Sequence, residues 1–393
     1  MNLNKIIPYK KMSLKELLTP DNKLMALIAV VLTALFFIGV INVLVHGHEI
    51  YNVTKDHPWG LLIAMYIFFV VSSTGLCIVG SFGDVFDFKV FAPSSKRAIL
   101  GSIVTILSGF AVIAFEIGHP VRMMIYNVLT PGLTSAIWWM GTLYGLYLTF
   151  MIIEFIFLMR EDMKNAKIFG LIGLLVGLAA HSNLGAVFGF LNTRLVSNGV
   201  FYPTYFILTA FITGIYLTFL MYGYYYRGKS FPENINNMLV NFAKIQGLLI
   251  AILIFFEAWK MLTGYYGGVP GRADVITHIL SGNTFWLGEF MCGMFIPFIV
   301  ILFSKGKATK LMVPASLIGM VGIFFMRYDL VHDTQLMPMQ NFMTRVYQEM
   351  PGFVEYFPSN TEMMIGFGAI GLCLVLYYLG TKLFDLTSTC HAD

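Results

Sequence analysis

Ten stretches of about twenty residues in this chain are almost free of charge, and that repetition constrains the fold more than any other feature. An α-helix rises 1.5 Å per residue, so about twenty apolar residues match the hydrocarbon core of a bilayer. The runs lie at 23–45, 58–82, 97–118, 132–159, 166–190, 202–226, 239–263, 283–303, 308–326 and 359–380. Only 12% of the residues are charged, against about 25% in an ordinary soluble domain. Too little polar surface is left to face water, and lipid becomes the solvent. The expected fold is an all-α integral membrane protein of about ten transmembrane helices.

Positive charge orients the helices. With the N-terminus placed in the cytoplasm, the inner segments hold 18 of the 25 Lys and Arg residues. The seven outer ones are Lys55, Arg122, Arg194, Lys260, Arg272, Arg327 and Arg345. The bias recurs loop by loop and predicts both termini inside. The expected organisation is a cytoplasmic segment 1–22, a flanking helix 23–45 and a first four-helix bundle 58–190. A second bundle at 202–326, an outer loop 327–358, a flanking helix 359–380 and an inner tail 381–393 complete it. The stretch 119–131 is expected to form a loop or short interfacial helix, and 264–282 a long outer loop. Long outer loops beside a bundle are natural docking surfaces.

Two classes of function are disfavoured at this level. The net charge of +4 is small and dispersed, with no basic block to neutralise a run of phosphates, so nucleic acid is not an expected partner. Cys77, Cys292, Cys373 and Cys390 include no CxxC, ferredoxin-type or CxxCH spacing. They read as packed thiols, and no iron–sulfur cluster or covalent haem is expected in the chain itself. A b-type haem needs paired axial ligands at matching depth, and only His181 lies clearly within a span.

Polar residues gather on one side. On this orientation His46, His48, His57, His119, His181, His278 and His332 all lie towards the outer face, and only His391 lies inside. Histidine titrates near neutral pH, so such a set suits proton exchange there. Ionisable groups within spans are costly and usually functional. Glu116 lies about two residues before the third run ends, Glu257 and Glu289 lie inside the seventh and eighth, and Arg327 is expected where the ninth emerges. Glu154 reads most simply as an interfacial group near Arg160, while for His57 a plain cap of the second run stands evenly beside a functional role.

The chemistry that fits is quinone redox. A quinone head group is flat and apolar, with two carbonyl oxygens that need hydrogen-bond donors. Its reduction takes two electrons and two protons, so it needs titratable groups in touch with water. His57, Trp59, Glu116, His181, Ser182 and Asn183 come from runs two, three and five, all towards one side. Ser72, Ser73, Thr74, Asp84 and Glu154 are candidates for an inner proton path towards them. A secondary transporter or proton channel of parallel-repeat type is the alternative, although the broken helices typical of carriers are not evident.

The chain also resembles the NrfD/polysulfide-reductase family of membrane subunits. The residues that carry the likeness are HPWGLLIAMYIFF at 57–69, GLCIVGSF at 75–82, FEIGHPVRMM at 115–124 and AHSNLG at 180–185. They continue with LTAFITG at 208–214, WLGE at 286–289, MRYDL at 326–330 and YFPSNTE at 356–362. The likeness is greatest to the ten-helix members found with uptake hydrogenases and sulfite-reduction complexes. It implies a multi-pass protein of a prokaryotic cytoplasmic membrane that binds menaquinone or ubiquinone near the outer face. Electrons would pass to or from a ferredoxin-like iron–sulfur subunit on the outer side, with further redox subunits beyond it. Positions carried over are His57-Pro58-Trp59, Glu116 with Arg122, and His181-Ser182. Many relatives have Gly-Arg-Pro after the acid where this chain has Gly118-His119-Pro120, which makes His119 a candidate additional proton carrier.

Overall fold

A computed structural model describes residues 7–10, 12–13, 16, 22–192, 194–197, 199–338 and 352–387. Arg345, Cys390 and His391 lie outside the described residues. Among the described residues the chain is helical, without strands, and ten helices are long and apolar enough to cross a membrane. They are α1 (Lys23–His46), α2 (Leu61–Asp84), α3 (Ser95–Glu116), α5 (Ala136–Met159) and α6 (Met163–Gly189), followed by α7 (Phe201–Tyr225), α8 (Glu233–Tyr266), α10 (Thr284–Ser304), α11 (Thr309–Asp333) and α12 (Asn360–Leu383). Two short helices, α4 (Pro120–Leu129) and α9 (Arg272–Ser281), sit between spans. Helices dominate because hydrocarbon offers a backbone no other hydrogen-bond partner.

Local chemistry sets the ends. Asn22 caps α1 by accepting from the amides of Leu24 (3.0 Å) and Met25 (3.3 Å). Ser359 and Glu362 form a reciprocal capping box at the start of α12. Lys305, at a φ of 52°, and Gly306, at 74°, turn the chain sharply after α10.

Helices α2, α3, α5 and α6 pack as one ring, and α7, α8, α10 and α11 as another. The rings meet where α2 crosses α7, and α2 also touches α11. Gly75 and Gly214 make that crossing possible: a Cβ on Gly75 would come within 2.7 Å of the Gly214 nitrogen. Helix α1 lies against α12, which packs in turn on α3. Its outward face, including Leu27, Val30, Ile41 and Leu44, is left to lipid.

Three details depart from expectation. The stretch 264–282 is not all loop, because Arg272–Ser281 folds into α9 and buries Val275, Ile276 and Ile279. Helix α11 runs seven residues past the expected end at 326, through to Asp333. Arg327 therefore does not emerge from the bundle but lies fully buried within it. The first half of α10, Thr284–Phe295, is π-helical, so one span of the second ring is irregular after all. The wider π turn commonly marks a functional site, and this one carries Glu289.

Candidate functional site

The alternation of crossings places one set of ends on a single face: the starts of α2 and α12 and the ends of α3 and α11. The sequence places the histidines there too. Gly60, the N-cap of α2, contributes no side chain to cap the helix. The hydroxyl of Tyr356 takes over that task, accepting from the Leu61 amide at 2.7 Å. The same hydroxyl donates to Glu362 Oε1 at 2.5 Å. Glu362 is fully buried, and its other oxygen accepts from the amides of Ser359 (2.8 Å) and Asn52 (3.1 Å). Gly60 leaves room for this arrangement, since a Cβ there would sit 2.7 Å from the Tyr356 hydroxyl.

His57 does not cap α2. Its ring stacks on Tyr356, with centroids 4.2 Å apart and planes 9° apart. Its Nε2 lies 3.1 Å from Nδ1 of His332 on α11, and His332 stacks in turn on Tyr328 at 6.0 Å. Burial, followed by the charges His332 and Arg194 would add, lowers the His57 pKa from 6.5 to about 4. At neutral pH the imidazole is uncharged, with one donor and one acceptor nitrogen. Where Nε2 accepts from His332, the Nδ1–H of His57 has no partner in the protein. Trp59 fixes the entrance: its amide donates to Gln335 Oε1 at 2.8 Å, and Gln335 Nε2 returns a bond to its carbonyl at 2.9 Å.

Glu116, the last residue of α3, closes the other side. Its Oε2 is buried without a hydrogen-bond partner. Tyr51 and His48 both reach the carbonyl of the preceding Phe115, at 2.8 and 3.1 Å. Burial, and then the neighbouring carboxylates Glu116 and Glu362, push the Tyr51 hydroxyl far above its ordinary pKa, so it remains a donor. His119 and Arg122 are exposed just beyond, at the start of α4, where Arg122 lies over the ring of Tyr126 at 5.5 Å. Residues 118–122 with Ile125 and Tyr126 border an open cavity of about 490 Å³.

His181 stands apart from this cluster. It lies deep between the two rings, and both of its nitrogens are engaged. Nε2 donates to the Phe206 carbonyl at 3.0 Å, so Nδ1 accepts from the Tyr144 hydroxyl at 3.0 Å. Asn183 ties α6 to the Ala136 carbonyl of α5 at 2.7 Å, and Ser182 is half-buried. An aromatic chain joins the regions: Trp59 meets Phe188 at 5.5 Å, Phe188 meets Phe206 at 5.9 Å, and Phe206 meets His181 at 5.5 Å.

The inner candidates divide. The Ser72 hydroxyl bonds back to the Phe68 carbonyl of its own helix, and Thr74 Oγ1 is buried without a partner. Ser73 joins a buried hydroxyl network with Ser102 (3.1 Å) and Tyr147 (3.1 Å). Glu154 is not interfacial and does not sit by Arg160. It is fully buried beside Asp84, and the two carboxyls can bond each other only by sharing a proton. Room for Glu154 comes from Gly170, where a Cβ would lie 2.6 Å from its Oε1.

The sequence reading missed Tyr51, Tyr356, Glu362 and Gln335. Only Glu362 carried a local signal, the Ser359-x-x-Glu362 capping pattern. The others are brought in by contacts across 64 to 295 residues of chain.

Comparison with known proteins agrees with the architecture. A family model described as "Polysulphide reductase, NrfD" matches residues 49–339. The chain is 24% identical to a selenate reductase subunit of Mesobacillus selenatarsenatis, over 90% of this chain and 92% of the relative. It is 25% identical to the Hdr-like menaquinol oxidoreductase integral membrane subunit of Archaeoglobus fulgidus, over 92% of this chain and 93% of the relative.

Proposed function

The chain belongs to the polysulphide reductase NrfD family, and from that premise we propose that it is the quinone-reactive membrane subunit of a respiratory oxidoreductase. The observation that carries this reading is the cluster of His57, Glu116, His332, Tyr356 and Glu362 at one end of the bundle. Two of its buried polar atoms, His57 Nδ1 and Glu116 Oε2, lack protein partners. A donor and a carboxyl left free beside a flat tyrosine–histidine stack suit a ligand with a carbonyl that becomes a hydroxyl. One relative is named for menaquinol, which supports menaquinone, or the chemically similar ubiquinone, as that ligand. When bound, the quinone supplies the two-electron, two-proton chemistry that the side chains lack.

In this reading His57 donates from Nδ1 to one carbonyl oxygen and is held in place by His332 and the Tyr356 ring. Glu116 holds or releases a proton at Oε2 and hands it towards the outer water past His119 and Arg122. Trp59, fixed by Gln335, screens the entrance. Electrons enter or leave through an iron–sulfur protein docked on the outer face of a prokaryotic cytoplasmic membrane. His181, with Ser182 and Asn183 nearby, shapes the wall between the rings and reaches the site only through the aromatic chain from Trp59. Glu116→Gln should cut quinone turnover at least tenfold while the complex still assembles with its partners. Unchanged turnover removes Glu116 from the mechanism.

A coupled proton path is supported by one further observation, the buried Asp84–Glu154 pair towards the inner end of the first ring. It would load protons from the cytoplasm and pass them by way of the Ser73, Ser102 and Tyr147 hydroxyls. Liposomes holding the whole complex, with a pH dye inside, test this. Turnover without proton uptake from the inner side, or uptake that survives Glu154→Gln, rules the path out.

A further inference from the structure

The second ring contains an ionic cluster that the proposed quinone site does not use. Lys260 and Glu257 of α8 form an ion pair at 2.7 Å. Glu289 projects from the π-helical half of α10 and is 4% exposed, with Oε1 unpartnered. Helix α11 adds Arg327, Asp329 and Asp333. Arg327 donates to Thr209 and lies over Phe206 at 4.8 Å, but its Nε and Nη1 have no partner. Asp329 is 4% exposed with one oxygen unpartnered. Tyr202 and Tyr205 of α7 complete the wall. Lys260, Glu289, Asp333, Tyr202 and Tyr205 border an enclosed cavity of about 10 Å³, large enough for a single water. Four carboxylates face two cations here, and a low-dielectric interior does not tolerate the excess charge without protons or a bound cation.

Helix α11 serves both regions. Phe324, Tyr328 and His332 recur every four residues and stack along the face turned to the first ring. Asp329 and Asp333 recur with the same spacing, one residue on. Successive residues on a helix are rotated by roughly 100°, so the second pair faces the other ring. His332 touches His57, and its chain neighbour Asp333 lines the water-sized cavity. Asp333 itself is only half-buried, at the end of the helix.

We propose that this cluster is a hydrated proton reservoir, and that the last turn of α11 lets it exchange protons with His57 and His332. The proposal rests on the reading of the His57 cluster as the quinone site. During quinone reduction, two electrons arrive from the iron–sulfur partner. A carboxyl O–H of the reservoir breaks and one quinone O–H forms, with the histidines between them each losing and regaining one proton, while the second quinone O–H forms with the proton that Glu116 gives up and regains from outer water. The emptied carboxylate is refilled from outer water at Asp333. Quinol oxidation runs the same sequence in reverse. The cavity takes water, and its exchangeable cargo is the proton.

The test uses the assembled complex in liposomes and compares wild type with Glu289→Gln, Asp333→Asn and His57→Gln. Infrared difference spectra of reduced minus oxidised complex should contain a protonated-carboxyl C=O band that Glu289→Gln or Asp333→Asn removes. Both variants should retain bound quinone and lose at least tenfold in turnover above pH 8, where outer protons are scarce. If both keep the band and the turnover while His57→Gln loses quinone, the reservoir is refuted and the quinone site stands. If His57→Gln keeps quinone binding and turnover, the reading of the site itself fails. Turnover that depends on sodium rather than pH would replace the proton with a metal cation and overturn the proposal.

Discussion

Tyr356→Phe isolates one hydroxyl at the centre of the candidate site. That hydroxyl accepts from the Leu61 amide at 2.7 Å and donates to Glu362 at 2.5 Å, while the ring stacks on His57 at 4.2 Å. Phenylalanine keeps the stack and removes both hydrogen bonds. Losing a bond to a charged group costs about 1.5–3 kcal/mol, and leaving a buried amide unpaired costs about 1–3 kcal/mol more. The lower ends sum to about 2.5 kcal/mol, and at about 1.4 kcal/mol per factor of ten that is a sixtyfold or greater rise in local opening. Hydrogen exchange at the Leu61 amide, measured by mass spectrometry with residue-level fragmentation on the detergent-solubilised complex, reads that opening directly. Tyr356→Leu removes the stack as well and should also loosen the 52–60 segment. Exchange at Leu61 within threefold of wild type in Tyr356→Phe would refute the view that this hydroxyl caps α2.

Further outcomes follow from the same geometry. His57 has a folded pKa below its unfolded value, so the unfolded chain binds more protons between pH 6.5 and about 4. Its stabilising contribution is complete above pH 6.5 and falls by up to about 3 kcal/mol as the pH drops to 4; a melting-temperature profile that His57→Gln leaves unflattened over this interval argues against it. Gly60→Ala meets Glu362 and Tyr356 without any φ penalty, because Gly60 sits at −91°; it should abolish quinone turnover, and normal turnover would mean the site has slack. Gly75→Ala forces the two rings apart at the α2–α7 crossing and should lower the yield of folded protein sharply, whereas Gly145→Ala, with nothing within 4 Å, should not.

The number and type of the spans were legible in the sequence because lipid imposes its demand on each run separately: a helix of about twenty apolar residues satisfies its own backbone. The gathering of histidines towards one end of the bundle was legible for a similar reason, since it needs only the count of crossings. Even Glu116, with its position at the end of α3, followed from that count. Local patterning could not supply depth or partnership. Arg327 looked like an emerging residue because hydropathy falls after residue 326, yet α11 continues and buries it between the rings. Glu154 looked interfacial because Arg160 is near in sequence, yet Gly170 makes room for it beside Asp84. The grouping of His57 with His181 followed from their shared side of the membrane. Tertiary packing instead joins His57 to His332, Tyr356 and Glu362, and seals His181 between Tyr144 and Phe206. The sequence alone thus determined the membrane, the ten helices and the end of the bundle at which the candidate site residues gather, because each depends on composition along single segments. Which side chains meet on that face was decided only by the packing of α2, α3, α11 and α12, since those contacts join residues hundreds of positions apart and leave no periodic trace in the chain.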